Sequence, residues 1–145
     1  METQPADAQD NGYSLINKIT ILKITEIQTM NNKNNITFEV CQRFYFDAAH
    51  RLKREIEAEG SRRIHGHTYL AEVAVRGAVN TKTGMVMDIG LIRIEVAKVR
   101  ELLDHHYLDE VPNLGIPTLE NLCIYIEKTM RNNGLQLSRV SVWRE

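Results

Sequence analysis

The sequence contains little cysteine and little proline, with two cysteines and three prolines in 145 residues. Cys41 and Cys123 are too few for a disulfide framework and too far apart for a CxxC motif, which argues against a small, disulfide-stapled secreted fold. The N-terminus also lacks the basic segment and unbroken apolar core of a signal peptide. We therefore expect a reducing, cytoplasmic location.

Neither a long apolar run nor an excess of one charge is present. No stretch of the sequence is apolar for long enough to span a membrane, and 18 basic against 19 acidic residues leave a net charge of -1. This balance argues against nucleic acid or a membrane as partner. Any anionic partner must be bound by a local group of residues, because the chain as a whole has no basic field. A chain of this length with 43% hydrophobic residues is the size of one domain with a core.

Histidine is also scarce, but three of the five histidines fall in one cluster. His65 and His67 flank a glycine, so on an extended strand both side chains project from the same face, and His50 ends the preceding apolar segment. Three imidazoles with no fourth protein ligand match a catalytic zinc site with an open position, whereas structural zinc sites are closed by four ligands, usually including cysteine. A lone histidine more often makes an ordinary hydrogen bond, but the clustering favours metal ligands.

The spacing of apolar residues predicts strands around the histidines and two helices after them. Alternating apolar and polar residues indicate strands, whereas apolar residues three and four apart, following Asp88 and Thr118 as N-caps, indicate helices. The predicted order is strand 37–46, a loop over 53–63, strand 65–77, a helix after Asp88, a helix after Thr118 ending at 132–134, and strand 137–143.

The first 36 residues differ in composition from the rest. Residues 1–12 are polar, 13–27 are rich in isoleucine without a clear period, and 31–35 form an asparagine-rich linker. Because Met30 directly precedes this linker, we interpret the first 29 residues as an extension from an upstream start codon. The predicted organisation is a flexible extension and linker over 1–36 and a folded domain over 37–145.

Five motifs then occur in a particular order. They are Phe46-Asp47-Ala48-Ala49-His50, His65-Gly66-His67, Thr83-Gly84-Met85-Val86-Met87-Asp88, Leu103-Asp104-His105 and Pro117-Thr118-Leu119-Glu120-Asn121. This combination resembles the 6-pyruvoyltetrahydropterin synthase and 6-carboxytetrahydropterin synthase family over about residues 37–145. The resemblance implies an α+β tunnelling fold (T-fold): an antiparallel four-stranded sheet with two helices on one face, assembled as a barrel-forming trimer or a hexamer, with active sites between subunits.

The resemblance also implies a substrate, 7,8-dihydroneopterin triphosphate, and Zn²⁺ held by His50, His65 and His67. In the family a histidine matching His105 relays protons and an aspartate matching Asp104 orients it. Taken alone, those two residues would be an ordinary polar helix end, where a histidine favours the C-terminal dipole. With the other motifs present, we predict that both are catalytic.

Two glutamates are predicted to bind the substrate. Glu120 matches a substrate-site glutamate of the family, although a glutamate so close to the Thr118 cap also suits helix capping. A second family glutamate, in a Val-x-Val-x-Glu run, accepts hydrogen bonds from the pterin. Aligned without a gap, Arg144 takes its place, whereas a one-residue bulge brings in Glu145; we prefer Glu145 because arginine cannot accept hydrogen bonds.

The chain departs from the family at the residue four positions before the histidine pair. The family usually has a cysteine there as the proton-abstracting base, and this sequence has Ser61. A thiol with a pKa of about 8.5 ionises readily near zinc or cations, whereas a serine hydroxyl without an activating base does not. Glu57 or Glu59 in the same loop could supply a carboxylate instead, although a loop glutamate is usually a solvated charge.

The second departure concerns the sheet. The family has a fourth strand beyond the position of Trp143, whereas this sequence stops at Glu145. Either the sheet is truncated at its C-terminal strand or the isoleucine-rich segment before Met30 supplies a strand. We favour truncation, which would leave an unpaired edge at a subunit contact.

The leading functional prediction is a zinc-dependent lyase that forms 6-carboxy-5,6,7,8-tetrahydropterin with loss of acetaldehyde and triphosphate, on the route to queuosine-type deazaguanines. This subtype is preferred because the segments around His65 and His105 look more like bacterial members. Alternatives are the pyruvoyl-forming triphosphate elimination, a weakly active or inactive homologue that binds zinc and pterin, and a metal-stabilised structural oligomer.

Overall fold

The protein is an α+β domain built on one antiparallel sheet. In a computed structural model, residues 17–20 and 36–144 are described, the first four as backbone only. The sheet has the strand order β1-β2-β3-β4, which confirms the antiparallel arrangement expected from the sequence. The strands are β1 (Asn17–Thr20), β2 (Phe38–His50), β3 (His65–Gly77) and β4 (Arg139–Arg144).

The centre of the sheet is a long pairing between β2 and β3. Their register runs without interruption from Phe38 opposite Gly77 to His50 opposite His65. For this reason β2 extends beyond its predicted end at Phe46: ladder hydrogen bonds with β3 keep the chain extended up to the histidine. The connection contains a short helix, α1 (Ala58–Arg62), where the sequence predicted only a loop.

The two longer helices begin where their caps predict. They are α2 (Ile89–Leu103) and α3 (Leu119–Asn132). The Asp88 carboxylate accepts a hydrogen bond from the backbone N–H of Gly90, and the Thr118 hydroxyl accepts one from the N–H of Asn121. These bonds satisfy amides that have no partner within the helix, so both predicted N-caps are confirmed. Among the described residues, no helix has both the length and the apolarity to cross a bilayer.

The hydrophobic core lies between one face of the sheet and both helices. Alternate residues of β2 and β3 face it, including Phe46 and Tyr69, whose rings stack with centroids 5.0 Å apart. Fully burying such a side chain stabilises the fold by roughly 1.5–3 kcal/mol. His50 and His67 continue the same alternation, so the histidines lie on the core face at the end of the sheet.

The strand β1 comes from the isoleucine-rich segment. It pairs antiparallel with β2, with Ile19 opposite Val40. The sequence favoured a truncated sheet, whereas the described sheet obtains its fourth strand from Asn17–Thr20. Residues 1–16 and 21–35 of the predicted extension lie outside the described residues, and the predicted domain boundary near residue 36 stays a prediction.

The other face of the sheet carries an ion-pair cluster around the buried carboxylate of Glu72. Arg43, opposite Glu72 in the β2–β3 register, places its Nε 2.6 Å from a Glu72 carboxylate oxygen, and Arg139 of β4 lies 2.8 Å from the other oxygen. Burial alone would raise the pKa of Glu72, but hydrogen bonds from the two arginines hold it below its ordinary value. The cluster therefore links three adjacent strands through one carboxylate.

We expect the Glu72→Gln variant to unfold with a free energy lower by about 1–3 kcal/mol at pH 7, because the buried side chain at position 72 loses the charge that accepts from both guanidinium groups. A folded-state pKa below the unfolded one adds stability above the unfolded pKa, and this contribution is lost as the pH falls through the folded value. Urea unfolding between pH 7 and pH 3 should therefore show a smaller acid-induced loss in the variant. The exposed Glu101→Gln is the control, and equal pH dependence in wild type and Glu72→Gln would contradict the expectation.

Candidate metal centre

Three histidines meet where β2 ends and β3 begins. The antiparallel register sets His50 opposite His65 and Ala48 opposite His67. The ring centroids are 4.8 Å apart for His50–His65 and His65–His67 and 5.1 Å for His50–His67. Candidate ligand nitrogens of all three residues lie within 4.8 Å of one another. The structure thus brings together the three histidines that the sequence predicted as metal ligands.

Backbone carbonyls orient two of the rings. Nδ1 of His50 lies 3.0 Å from the carbonyl oxygen of Pro117, and Nδ1 of His65 lies 2.8 Å from that of Arg63. A carbonyl can only accept, so each Nδ1 carries the proton and donates it, which leaves the lone pair on Nε2. Metal-binding histidines are commonly held by such outer hydrogen bonds.

Nε2 of His50 and Nε2 of His67 contact one cationic group. Nη1 of Arg144 lies 3.1 Å from Nε2 of His50 and 2.9 Å from Nε2 of His67. A guanidinium only donates, so both imidazoles accept and are neutral. Burial, reinforced by the charge of Arg144, lowers the pKa of His67 to about 4, and burial also lowers the pKa of His50. Neutral imidazoles whose candidate ligand nitrogens lie within 4.8 Å of one another fit the ligand chemistry that Zn²⁺ prefers.

We expect Arg144→Met to bind Zn²⁺ about tenfold more tightly than the wild type. The guanidinium occupies the Nε2 atoms of His50 and His67, so a metal ion must break two hydrogen bonds and displace a like charge. Competition with a chromophoric chelator measures the affinity. Arg76→Met, on an exposed position of β3, is the matched control, and unchanged or weaker binding by Arg144→Met would contradict the expectation.

A second set of polar groups surrounds Asp104 at the end of α2. Nδ1 of His105 lies 3.2 Å from Oδ2 of Asp104, and the same oxygen accepts from Arg100 at 2.9 Å. The other oxygen accepts from the backbone N–H of Asp47 at 2.9 Å. Asp104 is therefore held from three sides, while its partner His105 is exposed.

His105 adopts a left-handed backbone conformation, with φ of 60°. Residues other than glycine seldom adopt this conformation, and here its backbone N–H donates to the carbonyl oxygen of Asp47 at 2.6 Å. The chain thus turns sharply away from α2 and places the imidazole at the surface beside Asp104. Two residues that sequence reasoning missed, Asp47 and Arg100, fix this turn; the inclusion of Asp47 in the first motif was the available signal.

An open cleft of about 530 Å³ lies beside the end of α2, and His67 and His105 are among its lining residues. By strand alternation, its lining residues Asp47 and Thr68 belong to the sheet face opposite to the histidine side chains. A small molecule in this cleft can contact the His105 imidazole, which Asp104 supports, and such a pair suits transfer of protons.

Ser61 does not lie in this cleft. It is buried in α1, where its hydroxyl donates to the carbonyl oxygen of Ala58 at 3.0 Å and accepts from the backbone N–H of Arg54 at 3.3 Å. Its own carbonyl oxygen accepts from Leu52 at 2.7 Å. These contacts make Ser61 an anchor of the connection between β2 and β3.

Of the two glutamates predicted to bind the substrate, the structure describes Glu120 but not Glu145. Glu120 is exposed in the first turn of α3, and hydrogen bonds from its own backbone N–H and from Thr118 lower its pKa, as a capping carboxylate requires. Glu145 lies outside the described residues, so the preference for it stays a prediction. The register of β4 is regular up to Arg144, whose guanidinium contacts His50 and His67.

Comparison with known proteins agrees with these features. A sequence model of the family described as 6-pyruvoyl tetrahydropterin synthase matches residues 39–145. A dihydroneopterin monophosphate aldolase of Pyrococcus furiosus is 36% identical over 107 residues, covering 72% of this chain and 87% of its own length. The 6-carboxy-5,6,7,8-tetrahydropterin synthase of Synechocystis is 32% identical over 102 residues, covering 66% of this chain and 77% of its own length.

Solved structures show the same fold. The 6-pyruvoyl tetrahydropterin synthase of Caenorhabditis elegans superposes with a TM-score of 0.59 at 23% identity, covering 75% of this chain and 96% of that one. A Plasmodium vivax 6-pyruvoyltetrahydropterin synthase, in which a catalytic glutamate is replaced by cysteine, gives 0.55 at 18% identity, covering 75% and 98%. From the match over residues 39–145, the chain belongs to the 6-pyruvoyl tetrahydropterin synthase family.

Proposed function

We propose that this chain is a zinc-dependent lyase that converts 7,8-dihydroneopterin triphosphate to 6-carboxy-5,6,7,8-tetrahydropterin, with loss of acetaldehyde and triphosphate. The observation that carries the proposal is the histidine cluster, in which candidate ligand nitrogens of His50, His65 and His67 lie within 4.8 Å of one another. Relatives from Synechocystis and Archaeoglobus fulgidus named for this product, the latter with the qualifier putative, support the choice of reaction. We further propose a homo-oligomer, a trimer or hexamer, in the cytoplasm.

His50, His65 and His67 would hold the zinc ion in this proposal. When bound, Zn²⁺ supplies Lewis acidity that lowers the pKa of hydroxyl groups on the substrate side chain. The carbonyls of Pro117 and Arg63 keep Nε2 of His50 and His65 available by accepting the proton of Nδ1. The outer hydrogen bonds therefore decide which nitrogen faces the ion.

Asp104 and His105 would move protons at the substrate. The Oδ2 atom of Asp104 faces Nδ1 of His105, so the carboxylate favours the tautomer with the proton on Nδ1. Nε2 of His105 is then free to accept a proton from the substrate and return it. Glu120 and Glu145 stay proposed substrate-binding residues, with Glu145 as the acceptor for the pterin.

The proposed reaction also needs a base that removes a proton from carbon. Ser61 takes the position of the family cysteine, but its hydroxyl is engaged inside its own loop, so we assign it no base role. A carboxylate fits better, because the Plasmodium vivax enzyme has a catalytic glutamate. In this chain Glu57 and Glu59 lie in that loop, paired with Arg54 and Arg63 respectively.

A second candidate reaction is cleavage of dihydroneopterin monophosphate by an aldolase. The Pyrococcus furiosus relative bears that name and is 36% identical over 107 residues. An aldol cleavage starts by removing a hydroxyl proton, for which the Asp104–His105 pair suffices, so it needs no cysteine at position 61. The pyruvoyl-forming elimination and a zinc- and pterin-binding homologue with little activity are further alternatives, the latter favoured by the engaged Ser61.

Product analysis separates these reactions. Zinc-loaded protein is incubated with dihydroneopterin triphosphate or monophosphate, with chelator-treated protein as control, and the products are identified by mass spectrometry. Acetaldehyde together with a 6-carboxypterin supports the proposal. A pyruvoyl product, a hydroxymethylpterin, or retained pterin without turnover would support the corresponding alternative, and absence of any pterin binding would contradict all of them.

A further inference from the structure

Arg144, the last residue of β4, differs from the other half-buried arginines in its partners. Three arginines of the described residues are half-buried: Arg43, Arg100 and Arg144. Arg43 has a Glu72 oxygen at 2.6 Å, and Arg100 has an Asp104 oxygen at 2.9 Å. Within the described part of the chain, no carboxylate forms a salt bridge with Arg144. A charge withdrawn from water usually has a partner of opposite charge, so this guanidinium has a free capacity for an anion.

The groups that Arg144 does contact are neutral. Its Nη1 donates to Nε2 of His50 at 3.1 Å and to Nε2 of His67 at 2.9 Å. Burial raises the pKa of the Tyr69 phenol, and a hydrogen bond from Arg144 only partly opposes this, so the hydroxyl is also neutral at pH 7. The guanidinium therefore keeps its full positive charge beside the metal centre.

Asp109 is the acidic residue whose charge acts on this cluster. Burial lowers the pKa of His50, and the charge of Asp109 partly opposes that effect. The Asp109 carboxylate is already bound, however: it accepts from the backbone N–H of Arg51 at 3.1 Å and lies 3.6 Å from Nε of the same residue. An anion for Arg144 must therefore come from a ligand.

A metal ion at the histidines would increase the need for this anion. Zn²⁺ binds the lone pairs of imidazole nitrogens, and Arg144 uses two of those lone pairs, on His50 and His67. With the metal bound, the guanidinium loses both acceptors and lies beside a second cation. Like charges repel more strongly at a half-buried site than in water. An anion that contacts both cations relieves this repulsion.

We propose that the metal centre binds its metal ion together with a carboxylate, which Arg144 recognises. A carboxylate has two oxygens in one plane, so one oxygen can bind the metal at its open position while the other accepts from the guanidinium. Arg144 then opposes metal binding when no carboxylate is present and supports it when one is. This role goes beyond the proposed function, because it does not depend on which reaction the site performs.

The first test measures how acetate, a simple carboxylate, changes the zinc affinity of the full chain. Chelator competition is carried out in sodium acetate and in sodium perchlorate of the same ionic strength. Acetate also binds zinc in solution, but it lowers the affinities of wild type and Arg144→Met equally, so their ratio reports the site. Without acetate the variant should bind zinc about tenfold more tightly, and about 0.1 M acetate should reduce this ratio at least about threefold.

Arg76→Met, at an exposed position of β3, is the control and should follow wild type at every acetate concentration. A ratio between wild type and Arg144→Met that acetate leaves unchanged overturns the proposal, whether the two affinities stay constant or shift in parallel. Zinc binding too weak to measure in both proteins also overturns it, because no metal centre is then present.

The second test observes the carboxylate at the metal. Co²⁺ bound in place of Zn²⁺ has visible absorption bands that change when a ligand enters its open position. By linkage, the metal strengthens acetate binding by the factor by which acetate strengthens metal binding. Titration should therefore give an acetate dissociation constant at least about tenfold lower in wild type than in Arg144→Met, with Arg144→Lys between them, because lysine keeps the charge without the planar fork.

Uncharged acetamide is the control ligand and should leave the spectrum of the wild type unchanged. Thermal unfolding establishes that each variant is folded. Equal acetate affinity in wild type and Arg144→Met would contradict a carboxylate shared between the metal and this residue. Neither test uses a pterin or measures turnover, so failure of the proposed function and failure of this proposal are separate results.

Discussion

His67→Ala should abolish turnover and weaken Zn²⁺ binding at least about 100-fold, because the site then keeps two of its three imidazole ligands. His67 is the most informative of the three positions. His50 is buried and bonded to Pro117, so its replacement would also disturb packing. Zinc content after dialysis and chelator competition measure the affinity, and product formation from dihydroneopterin triphosphate measures turnover.

His106→Ala is the matched control for this prediction. It removes an exposed imidazole from the border of the same cleft, at a position with no assigned role. Zinc should also raise the unfolding temperature of wild type and His106→Ala but not of His67→Ala, because a ligand stabilises only the folded state that binds it. Full zinc retention by His67→Ala would remove the metal centre from the proposal.

His105→Gln should lower kcat by about 10²–10⁴-fold while zinc binding stays unchanged, which is the usual contribution of a general acid or base. The side chain is exposed and lies outside the histidine cluster, so neither folding nor metal loading depends on it. Steady-state kinetics measure kcat, and chelator competition measures zinc binding.

His106→Gln serves as the neighbouring control, since it makes the same change one residue further along. Asp104→Asn tests whether the carboxylate charge orients the His105 ring. The amide oxygen can still accept the Asp47 N–H, so the local fold is kept while the charge is removed. A His105→Gln variant with near-normal kcat would exclude this residue as the proton carrier.

Local sequence alone determined most of the elements of this fold. Alternation of apolar residues predicted β3 over residues 65–77, and the side chains of Asp88 and Thr118 predicted where α2 and α3 begin. These features depend on neighbours a few residues away, through strand periodicity and capping bonds. The three clustered histidines could also be identified from the local sequence, as candidate metal ligands.

Tertiary structure decided how those residues meet. The β2–β3 register brings His50 to His65 across a connection of 14 residues, and the turn at His105 brings an imidazole to the cleft of His67. No periodicity could show that the guanidinium of Arg144 faces the histidine nitrogens, or that Asn17–Thr20 pairs with β2. Such contacts arise from pairing between distant segments, whose register depends on the whole sheet and not on the local sequence.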